Sequence, residues 1–420
     1  MEDLMTTELD VDQWLDANWD PDLAVRAWWQ RLAEARLSAP MLAPPYGRQW
    51  DRQQTVELVR AMTRRGALGP PSGIGMMLAV PTLLAHGSTE LVETLVPRIL
   101  DGSHGWCQLF SEPGAGSDLA GLLTRAERDG DEWVVTGQKV WTSTGQYADY
   151  GILIARTDPD ASKHRGITYF AFPVRQPGVE VRPLREMTGR AIFNEVFIEG
   201  ARVPHANVIG QVGDGWRVAS TTLMVERMGI GGATVAAPSA AVPGTVAGHL
   251  DRPAGSFGQA RPVIDESMVS RQRVRALVDL ARQRARLADA TVRQDLARLY
   301  GLVEITEWHL ARMKSGQAAT GGEGNVAKLR NSDVVRLARD VAARILGMHA
   351  TVTGPDTPGG GMWQELILFS PAPSIFGGTD QVQRNVVGER VLGLPREPGP
   401  PPDTPFRALP QNTVPARSER

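Results

Sequence analysis

Between Trp106 and Ile198 the chain leaves helical spacing and breaks into short β-rich runs, each closed by Gly, Asp or Pro: 132–142, 150–156, 167–174, 179–184 and 192–198. Runs this short and closely spaced fold as antiparallel strands joined by tight turns. The flanks differ. Upstream, Trp14, Leu15, Leu23, Trp28 and Leu32 recur at helical spacings with a break at Pro21, which predicts a pair of helices, and 53–62 and 91–100 predict two more. Downstream, helix signals return at Gly215 and hold to about Leu394. The expected fold class is therefore α+β and multidomain, with an N-terminal helical domain (1–105), a middle antiparallel β-domain (106–214) and a C-terminal helical bundle (215–394). A flexible, Pro-rich tail is expected over 395–420. At 420 residues, several such units are the natural outcome. Within the third unit, the Gly-, Ala- and Pro-rich stretch 231–262 predicts an exposed or poorly ordered loop. Residues 268–287 predict a helix whose arginines form a solvated face over Val274, Leu277 and Leu280.

Several function classes lose support at this level. A formal charge of −2 gives no bulk attraction to nucleic acid or to an anionic membrane. The single cysteine, Cys107, excludes an intrachain disulfide and a thiolate cluster, fits a reducing cytoplasm, and reads as a small buried hydrophobe. The stretch 74–85 is broken by Pro81 and is shorter than the roughly 18 residues of a spanning helix, and no basic-then-apolar leader follows Met1, so a cytoplasmic protein is expected. His86 and His104 have no Cys, His or carboxylate at metal spacing and read as surface or capping residues. No G-x-G-x-x-G follows a strand and opens a helix, which argues against a nicotinamide site.

Two segments carry chemistry. In LFSEPGAGSDLAG, 109–121, Pro113, Gly114 and Gly116 enforce a turn poor in side chains, whose N–H groups can approach an anion, and Ser117 adds a hydroxyl donor. In GQKVWTSTGQYAD, 137–149, a strand would place Trp141 and Ser143 on one face, offering an aromatic plane and a hydroxyl to a flat heterocycle.

In this order and spacing the two segments closely resemble the acyl-CoA dehydrogenase family of flavoenzymes. The resemblance extends to PTLLAHGSTELVETLVPRILDG, GDGWRVASTTLMVERMGIGG and IFGGTDQVQRNVVGERVLGLP and so covers most of the chain. It implies the helical, β, helical architecture and an FAD held by Leu109, Ser111, Gly116, Ser117, Trp141, Ser143, Thr379 and Gln381. It also implies an acyl-CoA, or acyl carrier, thioester lined by Ser117, Arg227, Gly377 and Gly378. Electron-transfer flavoprotein is the implied acceptor, and a homotetramer or heterotetramer built on the C-terminal helices the implied assembly.

The family removes two hydrogens from the α and β carbons of the thioester. A carboxylate takes the α proton, and such a base works best where burial raises its affinity for protons and aimed donors polarise the carbonyl. Many members carry that glutamate just before a C-terminal Gly-Thr, but here Gly377 stands in its place, in Phe376-Gly377-Gly378-Thr379. A second branch carries it mid-chain before an arginine, where this chain has Glu226-Arg227 bordering an apolar stripe of Ala219 and Leu223. A structural ion pair is the alternative role for Glu226. Thr379 is expected to open a helix running towards Leu392 whose dipole end faces a polar cofactor edge. Two segments depart from the family. Arg252 and Phe257-Gly258 replace an Arg-x-x-Phe-Gly at longer spacing, and Arg344-Ile345-Leu346-Gly347-Met348 replaces Gln-x-Leu-Gly-Gly. The leading expectation is an acyl-CoA dehydrogenase using FAD. The alternatives are a non-catalytic subunit that completes a paralogue's flavin site, or a related flavoenzyme acting on a carrier-protein thioester or as an oxygenase.

Overall fold

The structure, a computed structural model, describes residues 9–230, 240–257, 269–315, 320–354 and 357–410. In the N-terminal region α1 (Val11–Asn18), α2 (Val25–Glu34) and α3 (Arg52–Arg64) surround the fully buried Trp28 and Trp29, whose indole N–H groups donate to Leu68 O and Gly69 O. Asp10, Asp51 and Ser88 cap α1, α3 and α5 (Thr89–Leu100) by accepting from backbone N–H groups in the first turn. The apolar stretch 74–85 forms a π-helical turn, Gly75–Ala79, leading into α4 (Val80–His86). Pro81 sits in its first turn, where a missing N–H costs nothing.

The segment expected as an exposed loop is a correction over its described part. Residues 240–257 dock on these helices: Val25 N donates to Arg252 O and Arg26 N to Leu250 O, both at 2.9 Å, and Ala254 N to Leu23 O at 2.7 Å. Ala241, Leu250 and Ala254 enter the core of Trp28 and Trp29. The Gly- and Pro-rich composition leaves few large side chains to pack, so main-chain bonding adds to this packing in fixing the segment. Residues 231–239 and 258–262 lie outside the described residues.

In the middle region β1 (Trp106–Leu109), β2 (Arg125–Asp129), β3 (Glu132–Ser143), β4 (Tyr150–Arg156), β5 (Ile167–Pro173), β6 (Val179–Pro183) and β7 (Phe193–Pro204) form one sheet in the order β1-β4-β2-β3-β7-β6, with β5 also on β4. Its pairings are antiparallel except β1 with β4 and a single β2–β4 bridge, which are parallel. Alternation splits β1 cleanly. Cys107 and Leu109 join Leu153, Phe170 and Val196 in one core, while Trp106 and Phe110 join Leu83, Val96 and Tyr169 in the core shared with the helices. α6 (Gly215–Ile230) packs across that second face, with Val218 and Ala219 fully buried. Burial pushes the Cys107 thiol up to about 12, so it is an inert core residue.

In the C-terminal region α7 (Arg271–Gln283), α8 (Ala290–Lys314), α9 (Glu323–Leu346) and α10 (Met362–Phe369) close around Val274, Leu277, Leu299, Val334, Val341 and Trp363. α11 (Asp380–Val386) lies against α9 and passes into a π-helical turn, Val387–Val391, so the helix expected to run to Leu392 changes its hydrogen bonding part-way.

The tail also departs from expectation over its described part. Pro405 bridges Ser162, Phe406 N donates to Ala161 O at 2.9 Å, and the Phe406 ring is 4% exposed beneath the Arg156 guanidinium. One buried aromatic, these main-chain contacts and an ion pair between Arg407 and Asp160 dock an otherwise polar, Pro-rich segment. Residues 411–420 lie outside the described residues.

Candidate active site

The turn at 112–115 closes on itself, since Glu112 N donates to Ala115 O and Ala115 N to Glu112 O. An added Cβ at Gly116 would meet nothing within 4 Å, so glycine there leaves the backbone open to a group outside the chain. Gly116 and Ser117 are exposed, and Asp118 pairs with Lys163 at 2.6 Å. Leu109 is different. Its side chain is fully buried in the core on the face of β1 away from the helices, so any cofactor contact would have to come from its main chain. Ser111 is partly buried, and its carbonyl accepts from Val140 N at 2.9 Å, which joins the turn to β3.

The residue that fixes this turn was not singled out in the sequence. Glu112 is 8% exposed and accepts from Leu123 N at 2.6 Å, Thr124 N at 2.9 Å and Lys139 Nζ at 2.8 Å. Lys139, fully buried, also donates to Phe110 O. Burial works to raise the Glu112 carboxyl, but Lys139, Thr124 and Leu123 outweigh it and hold it below its ordinary value. A signal was present: Lys139 falls in phase with Trp133 and Val135 on the buried face of β3.

At the end of β3 the register with β7 shifts between Lys139 and Thr142, and Trp141 sits in this bulge with φ 60°. A bulky residue in the left-handed region is rare and strained. The bulge leaves the indole 60% exposed, edge-on to Phe193, while Thr142 is buried and Ser143 partly buried. An exposed aromatic plane beside an open glycine turn suits a flat ring joined to a pyrophosphate. If the indole covers the flavin that the family resemblance implies, Trp141→Ala is expected to weaken flavin retention by on the order of 1 kcal/mol, read as the dissociation constant of the released flavin.

Glu226 lies on α6, facing β1, and Gln108 Nε2 donates to its Oε2 at 3.4 Å. One turn earlier Thr222 joins a buried hydroxyl cluster, 2.9 Å from Thr82 Oγ1 and 3.0 Å from the Tyr169 hydroxyl. Burial, with a smaller contribution from the Glu226 charge, pushes the Tyr169 phenol above its ordinary value despite its hydrogen bonds to Thr222 and Thr82. Gln108 is a functional candidate that sequence reasoning missed. Arg227 follows on α6, and its side chain lies outside the described residues.

At the C-terminal motif Gly377 and Gly378 take φ 61° and 82°, a conformation that favours glycine. The buried Gln383 clamps this turn by donating to Gly377 O at 2.7 Å while accepting from Asn325 of α9. Thr379 Oγ1 accepts from Val382 N at 3.2 Å, capping α11, and Gln381 is exposed. Beneath the turn Asp380 accepts from Lys328, Ser332 and Arg336. Burial works to raise its carboxyl, but these partners hold it down at about 2. The departing segments have local roles: Arg252 stacks on Phe257 against the N-terminal core, and Arg344 pairs with Asp295. Gly258 lies outside the described residues.

Residues 107–200 match the family described as acyl-CoA dehydrogenase, middle domain, and 250–392 match acyl-CoA dehydrogenase, C-terminal domain. The chain is 37% identical over 376 residues to acyl-CoA dehydrogenase IpdE1 of Mycobacterium tuberculosis, covering 89% of this chain and 88% of that protein. The chain belongs to the acyl-CoA dehydrogenase family. Two solved structures agree with this fold. The Tcur3481-Tcur3483 steroid ACAD is 25% identical with a TM-score of 0.67, over 93% of this chain and 94% of that one. The ChsE4-ChsE5 complex from Mycobacterium tuberculosis is 26% identical with a TM-score of 0.66, over 94% and 95%. An acyl-CoA dehydrogenase is a flavoprotein oxidoreductase, and the open glycine turn and exposed indole described above are consistent with a flavin site. Among the described residues no helix is long and apolar enough to cross a membrane, and no three metal-ligating side chains cluster.

Proposed function

We propose that this acyl-CoA dehydrogenase binds FAD and converts an acyl-CoA thioester to its trans-2-enoyl thioester, with Glu226 as the base. The observation that carries this is the placement of Glu226 on the helix-facing side of β1, bonded to Gln108, two residues before Phe110 and the cofactor-side turn. Glu226 takes the α proton, and the electrons of that C–H bond form the α,β double bond as the β hydrogen leaves with its pair. Bound flavin supplies the acceptor for that hydride, and electron-transfer flavoprotein is the proposed next carrier. Gln108 holds the carboxylate towards the reacting carbon. Ser111, Gly116, Ser117, Trp141, Ser143, Thr379 and Gln381 hold the cofactor, with Leu109 contributing main chain only. Ser117, Arg227, Gly377 and Gly378 line the thioester. The likeness to a steroid ACAD favours a bulky, steroid-derived acyl group over a plain chain.

Gly377 supports a second reading, in which the chain completes the flavin site of a paralogue. The likeness to one half of a two-chain complex points the same way. The exposed Ile305, Trp308, Met348 and Ile375 on the C-terminal region favour an oligomer under either reading. Purified protein is expected to carry about one non-covalent FAD per site and to be bleached by a member of an acyl-CoA panel, with turnover read through an artificial electron acceptor. Protein that stays colourless with added FAD, alone and with a co-produced paralogue, would sink both readings. Turnover only after the paralogue is added would select the second.

A further inference from the structure

A cavity of about 120 Å³ lies where four segments meet: Ser72–Met76 at the π-turn, His104–Trp106 leading into β1, Thr144–Ala148 after β3, and Ala241–Pro243 of the docked segment. Two side chains of its wall carry buried nitrogens with no hydrogen-bond partner, Trp106 Nε1 and His104 Nδ1. Trp106 is 4% exposed, and an indole N–H can only donate. A buried donor left unmatched is destabilising, so a native site that keeps one calls for a reason. Both rings are fixed in place by Tyr150, stacked on Trp106 at 5.2 Å and tilted against His104 at 5.0 Å. Burial, more than the surrounding charges, lowers the His104 imidazole's affinity for protons, which keeps the ring neutral and able to donate or accept.

The register of β1 relates this cavity to the candidate base. Trp106, Gln108 and Phe110 share the face turned to the helices, and Gln108 is the residue that meets Glu226. Residues two apart on a strand are about 7 Å apart, so the cavity begins one side-chain step beyond Gln108 along β1. The π-turn presses directly on that step. A Cβ at Gly75 would come within 3.3 Å of Trp106 Cδ1 and 3.0 Å of Ile99 Cγ2, so glycine lets the backbone cover the indole closely.

We infer that this cavity receives the far end of the acyl group, and that this end carries an oxygen acceptor, a carbonyl or hydroxyl on a ring, which takes a hydrogen bond from Trp106 Nε1 and meets His104 Nδ1. The inference rests on the proposed dehydrogenation at Glu226 and adds the chemistry of the substrate's other end. Two CoA esters test it, an oxocyclohexyl-propanoyl ester and its cyclohexyl-propanoyl counterpart, matched in carbon skeleton. The parent enzyme, with its paralogue if one is required, is expected to prefer the oxo ester by about 10-fold in kcat/KM, the loss typical of one neutral hydrogen bond. Trp106→Phe is expected to bring that ratio close to one. Because the readout is a ratio of two substrates, a general loss of folded enzyme cancels, and His104→Phe provides an independent second variant if Trp106→Phe does not fold. A parent ratio near one, or a ratio left unchanged in both variants, overturns the subsite. If that happens while Glu226→Gln still abolishes turnover, the dehydrogenation reading stands alone. If Glu226→Gln leaves turnover intact, both fall. Should neither ester turn over, calorimetric dissociation constants of the two esters decide, and equal values overturn the subsite.

Discussion

Glu226→Gln is expected to keep the fold and the flavin and to lose between about 10² and 10⁴ in rate, the usual contribution of a positioned general base. The substitution preserves shape, and Gln108 can still bond to the new amide oxygen, so binding changes little while proton abstraction fails. Anaerobic bleaching of the flavin by substrate is the measurement, alongside a melting curve. A purely structural Glu226 would give the reverse pattern, a lowered melting temperature with normal bleaching per folded site, and bleaching at the parental rate would rule the assignment out. Gly377→Glu in the Glu226→Gln background is the complementary control, because it restores a carboxylate where other members of the family carry theirs. Gly377 has φ 61°, where a residue with a side chain is strained by roughly 1 to 2 kcal/mol, so only partial recovery is expected.

The second large effect concerns stability. Lys139→Met removes the cation from a buried pair and leaves Glu112 charged, 8% exposed and short of one partner. Breaking a buried pair from one side typically costs about 3 to 5 kcal/mol, enough to unfold a marginal domain. Adding Glu112→Gln should recover part of that loss, since it removes the uncompensated charge, and chemical denaturation of the single and double variants measures the difference. The pH dependence has a definite sign. The Glu112 carboxyl is held below its unfolded value, so it contributes stability that is fully present above the ordinary carboxylate range and is lost as the pH falls through the lower, folded value. The parent should lose that contribution on acidification, and the double variant should lack that part of the acid sensitivity. Equal acid sensitivity in both would count against the assignment.

How much of this was legible in the sequence depended on what each residue type encodes. β4 and β5 read clearly because 150–156 and 167–173 are rich in β-branched and aromatic residues and buried on both faces. β1 and β2 did not. Trp106–Leu109 is four residues long, and Arg125–Asp129 has one buried residue among charged ones, so neither shows a period. The helical spacing around Glu226 was visible, but its partner Gln108 lies 118 residues away, and no local pattern announces a contact of that range. The bulge at Trp141 was equally hidden, since a positive φ is not written in a tryptophan. The docking of Phe406 was masked by its Pro-rich neighbours, among which it is the single aromatic side chain.

The docking of 240–257 on α2 bears on how the chain acquires its shape. Arg26 reaches Asp251 across 225 residues, and the entire sheet lies between them in sequence. The hydrophobic centre around Trp28 and Trp29 is therefore not finished by the helices that begin it: Ala241, Leu250 and Ala254 must arrive first. Contacts of such long range close late, because loop-closure entropy is met before they form. A fragment ending near residue 105 would expose apolar surface that the whole chain covers, so the first helices cannot be separated as an autonomous module even though their secondary structure is local.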